Sequence, residues 1–315
     1  MTTFDFSKPL KIGTRGSVLA TTQTAMVSDK LKAAWPKLEI ETIIIKTSGD
    51  WKKEQGETRL AESKGGKGLF IQEIEANILD GHVDCGVHSL KDVPTFLEDN
   101  LCVDHVLERE DPRDAFLSDN YASLAEMPKG AIVGTASLRR QAAILKAFPH
   151  LEVEILRGNV DTRIQKMRDG QVDAAILAVS GLHRIGRESE ITSILAPDFM
   201  VPACGQGSLA IETRSDDMGV RQLFDAIHHD VSGLCAAAER ATLAALDGSC
   251  RSPIGCFASF EGAEMTLHCV VYEPDGSALY EDKARATIKT VSDAKAFGYD
   301  LGTKLKPKAP ARLFA

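Results

Sequence analysis

Apolar and polar positions along this chain form short blocks, and the blocks recur in the same order. Ile12-Gly13-Thr14 closes one apolar run and a helical pattern follows from about Ser17; Val133-Gly134-Thr135 does the same, with its helix starting near Ser137. Pro36-Lys37-Leu38-Glu39-Ile40-Glu41 is echoed by Pro149-His150-Leu151-Glu152-Val153-Glu154, and in both copies the alternation after proline predicts a strand. Asp80-Gly81-His82-Val83-Asp84 is echoed by Asp169-Gly170-Gln171-Val172-Asp173, each a turn leading into an apolar strand, over 83–88 and 172–179. Three matches in one order predict two related α/β lobes.

From Thr14 to Asp80 is 66 residues, whereas from Thr135 to Asp169 is only 34. The first lobe therefore carries an insertion, and its polar, glycine-rich stretch over 48–68 reads as a lid. A third region shows a helical pattern over 232–247 and the turn-rich patch Asp247–Gly255. Strands follow at 265–272 and 278–288 around Glu273-Pro274-Asp275-Gly276, then a helix over 291–305. The expected fold class is α/β, with two related periplasmic-binding-protein-like lobes joined by a hinge and a small α+β C-terminal domain. The expected divisions are 1–107 with 208–225, then 108–207, then 226–315. Such hinged proteins bind ligands at the carboxyl ends of their strands.

Composition narrows the chemistry. The 315 residues carry a net charge of −8, which argues against binding a nucleic-acid polymer or an acidic membrane surface. No stretch of eighteen apolar residues suggests a membrane span, and the first residues lack a secretory pattern. Seven cysteines without a CxxC pair indicate neither a zinc site nor a disulfide framework, so no metal and a cytoplasmic setting are expected. No interface stripe stands out, and a monomer is expected.

The charge is not spread evenly. Nine of the 17 arginines, but three of the 20 lysines, fall between Arg109 and Arg187, a stretch with twelve cations and ten carboxylates. Planar bidentate recognition of carboxylate or phosphate favours arginine over lysine. The strand-to-helix turns place Arg15 and Ser17, and Thr135, Ser137, Arg139 and Arg140, at helix N-termini, where free N–H groups bind anions. Ser17 and Ser137 could equally be plain caps. His88-Ser89-Leu90-Lys91-Asp92-Val93-Pro94 follows a strand, so Lys91 could hold an anion and Asp92 a cation or proton, or the two could be a surface pair. Cys250 stands in a polar turn beside Arg251, where a neighbouring cation favours the thiolate.

Seven blocks, taken together, resemble the porphobilinogen deaminase (hydroxymethylbilane synthase) family over essentially the whole chain. They are Ile12–Ser17, Gly65–Phe70, His88–Pro94, Gly134–Arg140, Arg157–Arg163, Pro202–Gly207, and Glu239-Arg240 through Gly248–Gly255. The resemblance implies condensation of four porphobilinogen molecules head to tail into hydroxymethylbilane, with release of four ammonia. The chain would grow on a covalent dipyrromethane cofactor attached through Cys250. It further implies that Lys91, Ser89, Thr135, Ser137, Arg139, Arg140 and Arg163 hold the cofactor. Arg15, Ser17, Arg157, Arg163, Arg184, Phe70 and Gln206 would meet incoming porphobilinogen or the growing linear pyrrole chain, and Asp92 would be the catalytic carboxylate. The sequence departs from the family pattern at Val18, Ser249 and Ser252, and its lid reads as longer and more charged. The rival expectation is a non-catalytic two-lobe anion-binding protein, which the lobe repeat alone would equally support.

Overall fold

A computed structural model describes residues 3–47, 71–248 and 252–314. The chain divides into two compact units. The first comprises 3–47, 71–110 and 208–233, and the second 111–207 with the remaining C-terminal residues. The lid expected over 48–68 lies outside the described residues, as do Phe70 and Cys250.

The first unit is a five-stranded sheet of β1 (Leu10–Thr14), β2 (Ile40–Ile44), β3 (Cys85–Ser89), β4 (Leu101–Val106) and β10 (Leu209–Arg214), in the order β2-β1-β3-β10-β4. β1 runs parallel to β2 and β3, while β10 is antiparallel to β3 and β4. Helix α1 (Val18–Ala34) packs its buried positions, Val27 and Leu31 among them, with Leu10, Ile12, Cys85 and Val87. On the opposite face α2 (Gln72–Leu79) buries Ile74 and Ile78 with Val83 and Leu101. A side chain of that size contributes about 1.5–3 kcal/mol when fully withdrawn from water.

The second unit repeats this plan. Its sheet of β5 (Asp114–Leu117), β6 (Ile132–Gly134), β7 (Glu152–Glu154), β8 (Ala174–Ala178) and β9 (Ser193–Ile194) has the order β7-β6-β8-β5-β9. The parallel and antiparallel pairings match strand for strand. Helix α3 (Leu138–Ala147) covers one face; α4 (Val160–Arg168) and α5 (Val179–Arg184) cover the other.

The three sequence echoes have local physical causes. Ser17 caps α1 by accepting from the Ala20 N–H at 3.2 Å, and Ser137 caps α3 by accepting from Arg140 at 3.4 Å. Both helices stop just before proline, with the Trp35 and Phe148 N–H groups closing onto Leu31 and Ile144. Gly81 and Gly170 take φ of 72° and 74°, the left-handed turn that follows α2 and α4. Asp84 and Asp173 then accept from the Lys11 and Ile132 N–H groups at 2.8 and 2.7 Å, pinning β3 and β8 to the starts of β1 and β6.

After β10 come α6 (Met218–Asp225), which joins the first unit, and α7 (Asp230–Ala245). The C-terminal sheet holds β11 (Ile254–Glu261), β12 (Glu264–Tyr272) and β13 (Leu279–Thr287), followed by α8 (Val291–Leu305). Strands β12 and β13 and the last helix fall where alternation predicts them. Strand β11 begins inside the stretch read as turn, because Gly255 hides the alternation. A Cβ there would lie 2.6 Å from the Val201 carbonyl oxygen, so only glycine fits that approach. Val270 and Tyr272 of β12 share a core with Val133, Ile144 and Ile176, which makes this sheet part of the second unit.

Candidate active site

Every described candidate residue except Ser89, which ends β3, and Gln206 lies beyond the carboxyl end of a parallel strand, on the turn or helix that follows. Those ends are where open α/β sheets leave room for ligands, because backbone groups and helix starts converge there. In the first unit, Arg15 and Ser17 follow β1, half-buried, at the N-terminus of α1. Ser89 ends β3, and Lys91 and Asp92 sit on the single 3-10 turn Leu90–Asp92. Buried Leu90 anchors this turn, and its N–H donates to the Ser208 carbonyl at 3.0 Å. Lys91 and Asp92 both keep part of their surface exposed. The Gln23 amide from α1 donates to the Ser89 hydroxyl at 2.9 Å and fixes its direction. Val18, at the family-pattern departure, is 57% exposed on the first turn of α1 and so replaces no packing.

In the second unit, Thr135 and Ser137 follow β6, Arg157 follows β7, Arg163 lies on α4, and Arg184 ends α5 after β8. Arg139 and Arg140 are both buried and share one fully buried carboxylate, Asp114. Arg139 donates to Asp114 Oδ2 at 2.8 Å and to the Val201 carbonyl at 2.8 Å. Arg140 donates to Asp114 Oδ1 at 2.7 and 3.1 Å and to the Ile176 carbonyl at 2.9 Å. One carboxylate against two guanidiniums leaves a net positive charge in a dry site, and Arg139 Nε is buried without an acceptor among the described residues. Burial works to raise the Asp114 pKa, but Arg139 and Arg140 together hold it well below the usual carboxylate range. Burial also lowers the Arg140 pKa, while Asp114 works to raise it.

Gln206, expected at the substrate, is 1% exposed and spends its amide on the Pro112 carbonyl at 2.6 Å and Asp114 Oδ1 at 2.9 Å. It buttresses the arginine pair's carboxylate. Its loop is held by Arg184, which donates to the Gly207 carbonyl at 2.6 Å, and by buried Glu239 of α7. Glu239 accepts from the N–H groups of Gly205 at 2.6 Å and Ala258 at 2.8 Å. Arg163 Nε donates to Gly158 O at 2.8 Å, which orients its guanidinium from the first turn of α4.

The arginine excess resolves into distinct groups. Arg113, Arg168 and Arg187 form ion pairs with Asp111, Glu190 and Asp161, the partly exposed kind that contributes little. Arg139 and Arg140 belong to the buried triad, and Arg157, Arg163 and Arg184 stand at the sheet end. Sequence reasoning missed Asp114, Gln23 and Glu239. Asp114 had one visible signal, a lone carboxylate heading the apolar run Ala115-Phe116-Leu117. Among the described residues no group of three or more His, Cys, Asp or Glu side chains could hold a metal, and no helix is long and apolar enough to cross a membrane.

Comparison with known proteins identifies the family. Residues 10–222 match the family model "Porphobilinogen deaminase, dipyromethane cofactor binding domain", and residues 233–307 match "Porphobilinogen deaminase, C-terminal domain". The porphobilinogen deaminase of Sorangium cellulosum (strain So ce56) is 43% identical over 298 residues, covering 94% of this chain and 98% of that one. The Nitrobacter hamburgensis porphobilinogen deaminase is 45% identical over 309 residues, covering 96% and 94%. Among solved structures, the periplasmic VFT2 domain of Bordetella pertussis BvgS is similar at a TM-score of 0.43 and 14% identity, covering 69% of this chain and 86% of that one, too distant to bear on function. With both domains matched in order and relatives aligned over nearly its full length, the chain belongs to the porphobilinogen deaminase family.

Proposed function

We propose a division of labour among these residues for the family's reaction, the head-to-tail condensation of four porphobilinogen molecules into hydroxymethylbilane with release of four ammonia on a dipyrromethane cofactor. The residues suit a ligand bearing several carboxylates. The second unit offers hydroxyls at the start of α3, a buried arginine pair with net positive charge, and a buried guanidinium N–H lacking an acceptor among the described residues. Thr135, Ser137, Arg139, Arg140 and Arg163, with Ser89 and Lys91 of the first unit, are the set we assign to the cofactor's acetates and propionates. Arg15, Ser17, Arg157 and Arg184 are assigned to incoming porphobilinogen and the growing chain, with Gln206 acting through Asp114. Each charge-assisted hydrogen bond contributes about 1.5–3 kcal/mol.

Cys250 is the proposed attachment point. Supporting it, four of the other six cysteines are buried, and burial raises the thiol pKa of Cys85, Cys102 and Cys256, which makes them poor nucleophiles. When bound, the dipyrromethane supplies a pyrrole α-carbon as nucleophile.

Asp92 carries the chemistry in this reading. As the aminomethyl C–N bond of porphobilinogen breaks, the electron pair leaves with nitrogen as ammonia and positive charge spreads over the pyrrole ring. A carboxylate on the pyrrole N–H stabilises that charge through departure and through formation of the new carbon–carbon bond. It can also pass a proton to the departing amine and accept the one later lost from the coupled α-carbon. The observation that carries this reading is the Lys91–Asp92 turn itself. A cation and a carboxylate stand side by side at a strand end, held by Leu90 and Ser208, with Gln23 orienting the adjoining Ser89.

The test is ammonia release by the purified chain with porphobilinogen, for the parent and Asp92→Asn. The parent should release four ammonia per linear tetrapyrrole, and the variant should lose about a hundredfold or more in turnover while its mass matches the parent's apart from the substitution. Binding of porphobilinogen without ammonia release by the parent would establish the anion-binding alternative. Near-normal turnover of Asp92→Asn would overturn the role given to that carboxylate.

A further inference from the structure

On the face of the first sheet that buries Ile74, Ile78 and Val83 beneath α2, three ionisable side chains are buried as well: Glu75, His88 and Glu212 at 4%, 5% and 0% exposure. They arrive from α2, β3 and β10. Glu212 stands opposite Gly86 in the β10–β3 ladder, and His88, two residues on, points to the same face. Gly86 leaves the room the imidazole occupies, since a Cβ there would lie 2.7 Å from His88 Nε2 and 2.8 Å from Ile74 Cγ2. His88 Nε2 meets Glu212 Oε2 at 3.1 Å, and the other oxygen, Glu212 Oε1, is buried with no hydrogen-bond partner among the described residues.

We propose that Glu75, His88 and Glu212 are a positioning unit for the Ser89–Asp92 turn, with the buried Glu75 carboxyl holding a proton, and that the turn keeps its catalytic set only while that proton is held. The inference rests on the role given to Asp92 above. Two ionised carboxylates buried together repel strongly, and one proton removes the conflict. The groups acting on Glu75 fit this arrangement. Burial foremost, then Glu212 of β10 and Glu98 of the segment before β4, push its pKa up to about 7, against His88 of β3. Glu73, two residues back on α2, adds a further carboxyl group to the same helix.

The link to the turn is short. His88 directly precedes Ser89, and its ladder partner is Ala210, two residues from Glu212. Ser89 pairs with Leu209, and the Leu90 N–H is held by Ser208 of the same approaching segment. A second negative charge beside Glu212 would therefore act on the two strands that fix the start of the turn. Packing alone does not explain the trio, because apolar side chains of similar volume fill such a site at no greater cost.

The test compares the full-length, cofactor-loaded parent with Glu75→Gln and Glu75→Leu in turnover against pH. Parent kcat should fall as pH rises past neutral, with KM for porphobilinogen changing less than about threefold. Glu75→Gln, which cannot ionise, should match the parent at pH ~6.5 and lose that fall. Glu75→Leu should lose about tenfold in kcat at every pH with little change in KM, since a small displacement of a reacting group costs at least that much. An unchanged alkaline fall in Glu75→Gln, or parent-like kcat in Glu75→Leu, would overturn the proposal. Infrared titration of the folded protein reads the cluster without turnover. A protonated-carboxyl stretch should be present at pH ~6, vanish by pH ~8.5, and be missing from Glu75→Gln across that range. If the parent consumes no porphobilinogen, the catalytic reading fails separately, and absence of that stretch in the parent at pH ~6 would overturn the cluster on its own.

Discussion

Asp114 binds two guanidiniums on two oxygens and is withdrawn completely from water, so its removal should cost more than the loss of any surface pair. Asp114→Asn would leave two buried cations sharing one amide, and unfolding free energy should drop by about 3–5 kcal/mol. Urea denaturation measures this, and a loss under about 1 kcal/mol would show that the arginines are held by the Val201 and Ile176 carbonyls alone. Because the Asp114 pKa is depressed, its stabilising contribution is present above the unfolded carboxyl value and is lost as pH falls through the folded one. Glu75 has the opposite sign. Its raised pKa favours the folded state at pH below about 4.5, and that advantage disappears as pH rises from 4.5 through about 7. Glu75→Gln should therefore be more stable than the parent at pH ~8 by about 1–3 kcal/mol, with the difference shrinking toward pH ~5. Melting temperatures across that range check it, and a constant offset would contradict it. Neither residue's state was legible in the sequence. A carboxylate's burial depends on which strand or helix closes over it; Asp114 shows only as a lone carboxylate heading an apolar run, and Glu75 as one of several polar positions along its helix.

Strand-end turns are the elements that carry the site, and these were legible because their chemistry is local. A cap serine, a proline after a helix and a left-handed glycine after the next one mark both lobes, and all three recur with the same hydrogen bonds. The strand β11 was not legible, since glycine at its start breaks the alternation where the chain passes close to the 201–202 segment, whose Pro202 carbonyl accepts from the Cys256 N–H. Helix-on-helix contact was equally hidden. In α8 a Cβ at Gly298 would collide with the Ala238 carbonyl oxygen of α7, and one at Gly302 would meet the Ala245 Cβ at 2.7 Å. Gly298→Ala should force the two helices apart and destabilise the C-terminal region by about 1–3 kcal/mol or more. A thermal midpoint unchanged from the parent would show that this contact relaxes freely.

At the scale of the whole molecule, the net charge of −8 speaks against a polyanionic polymer, while arginines gathered at one sheet end suit a small ligand with several carboxylates. The two-lobe repeat was readable from three echoes, and both sheets share one five-stranded order as that repeat requires, although the order itself was not readable. Which residues bind and which support was not readable, because Arg139, Arg140 and Gln206 all read as ligand contacts until Asp114 is placed among them. The central claim is that this chain builds its product on a dipyrromethane held by Cys250. Intact mass of the purified, active protein tests it most directly. The parent should be heavier than its sequence by two linked pyrrole units, and Cys250→Ala should have its sequence mass and no turnover. An active parent at the bare sequence mass, or a Cys250→Ala protein that keeps the added mass, would contradict it.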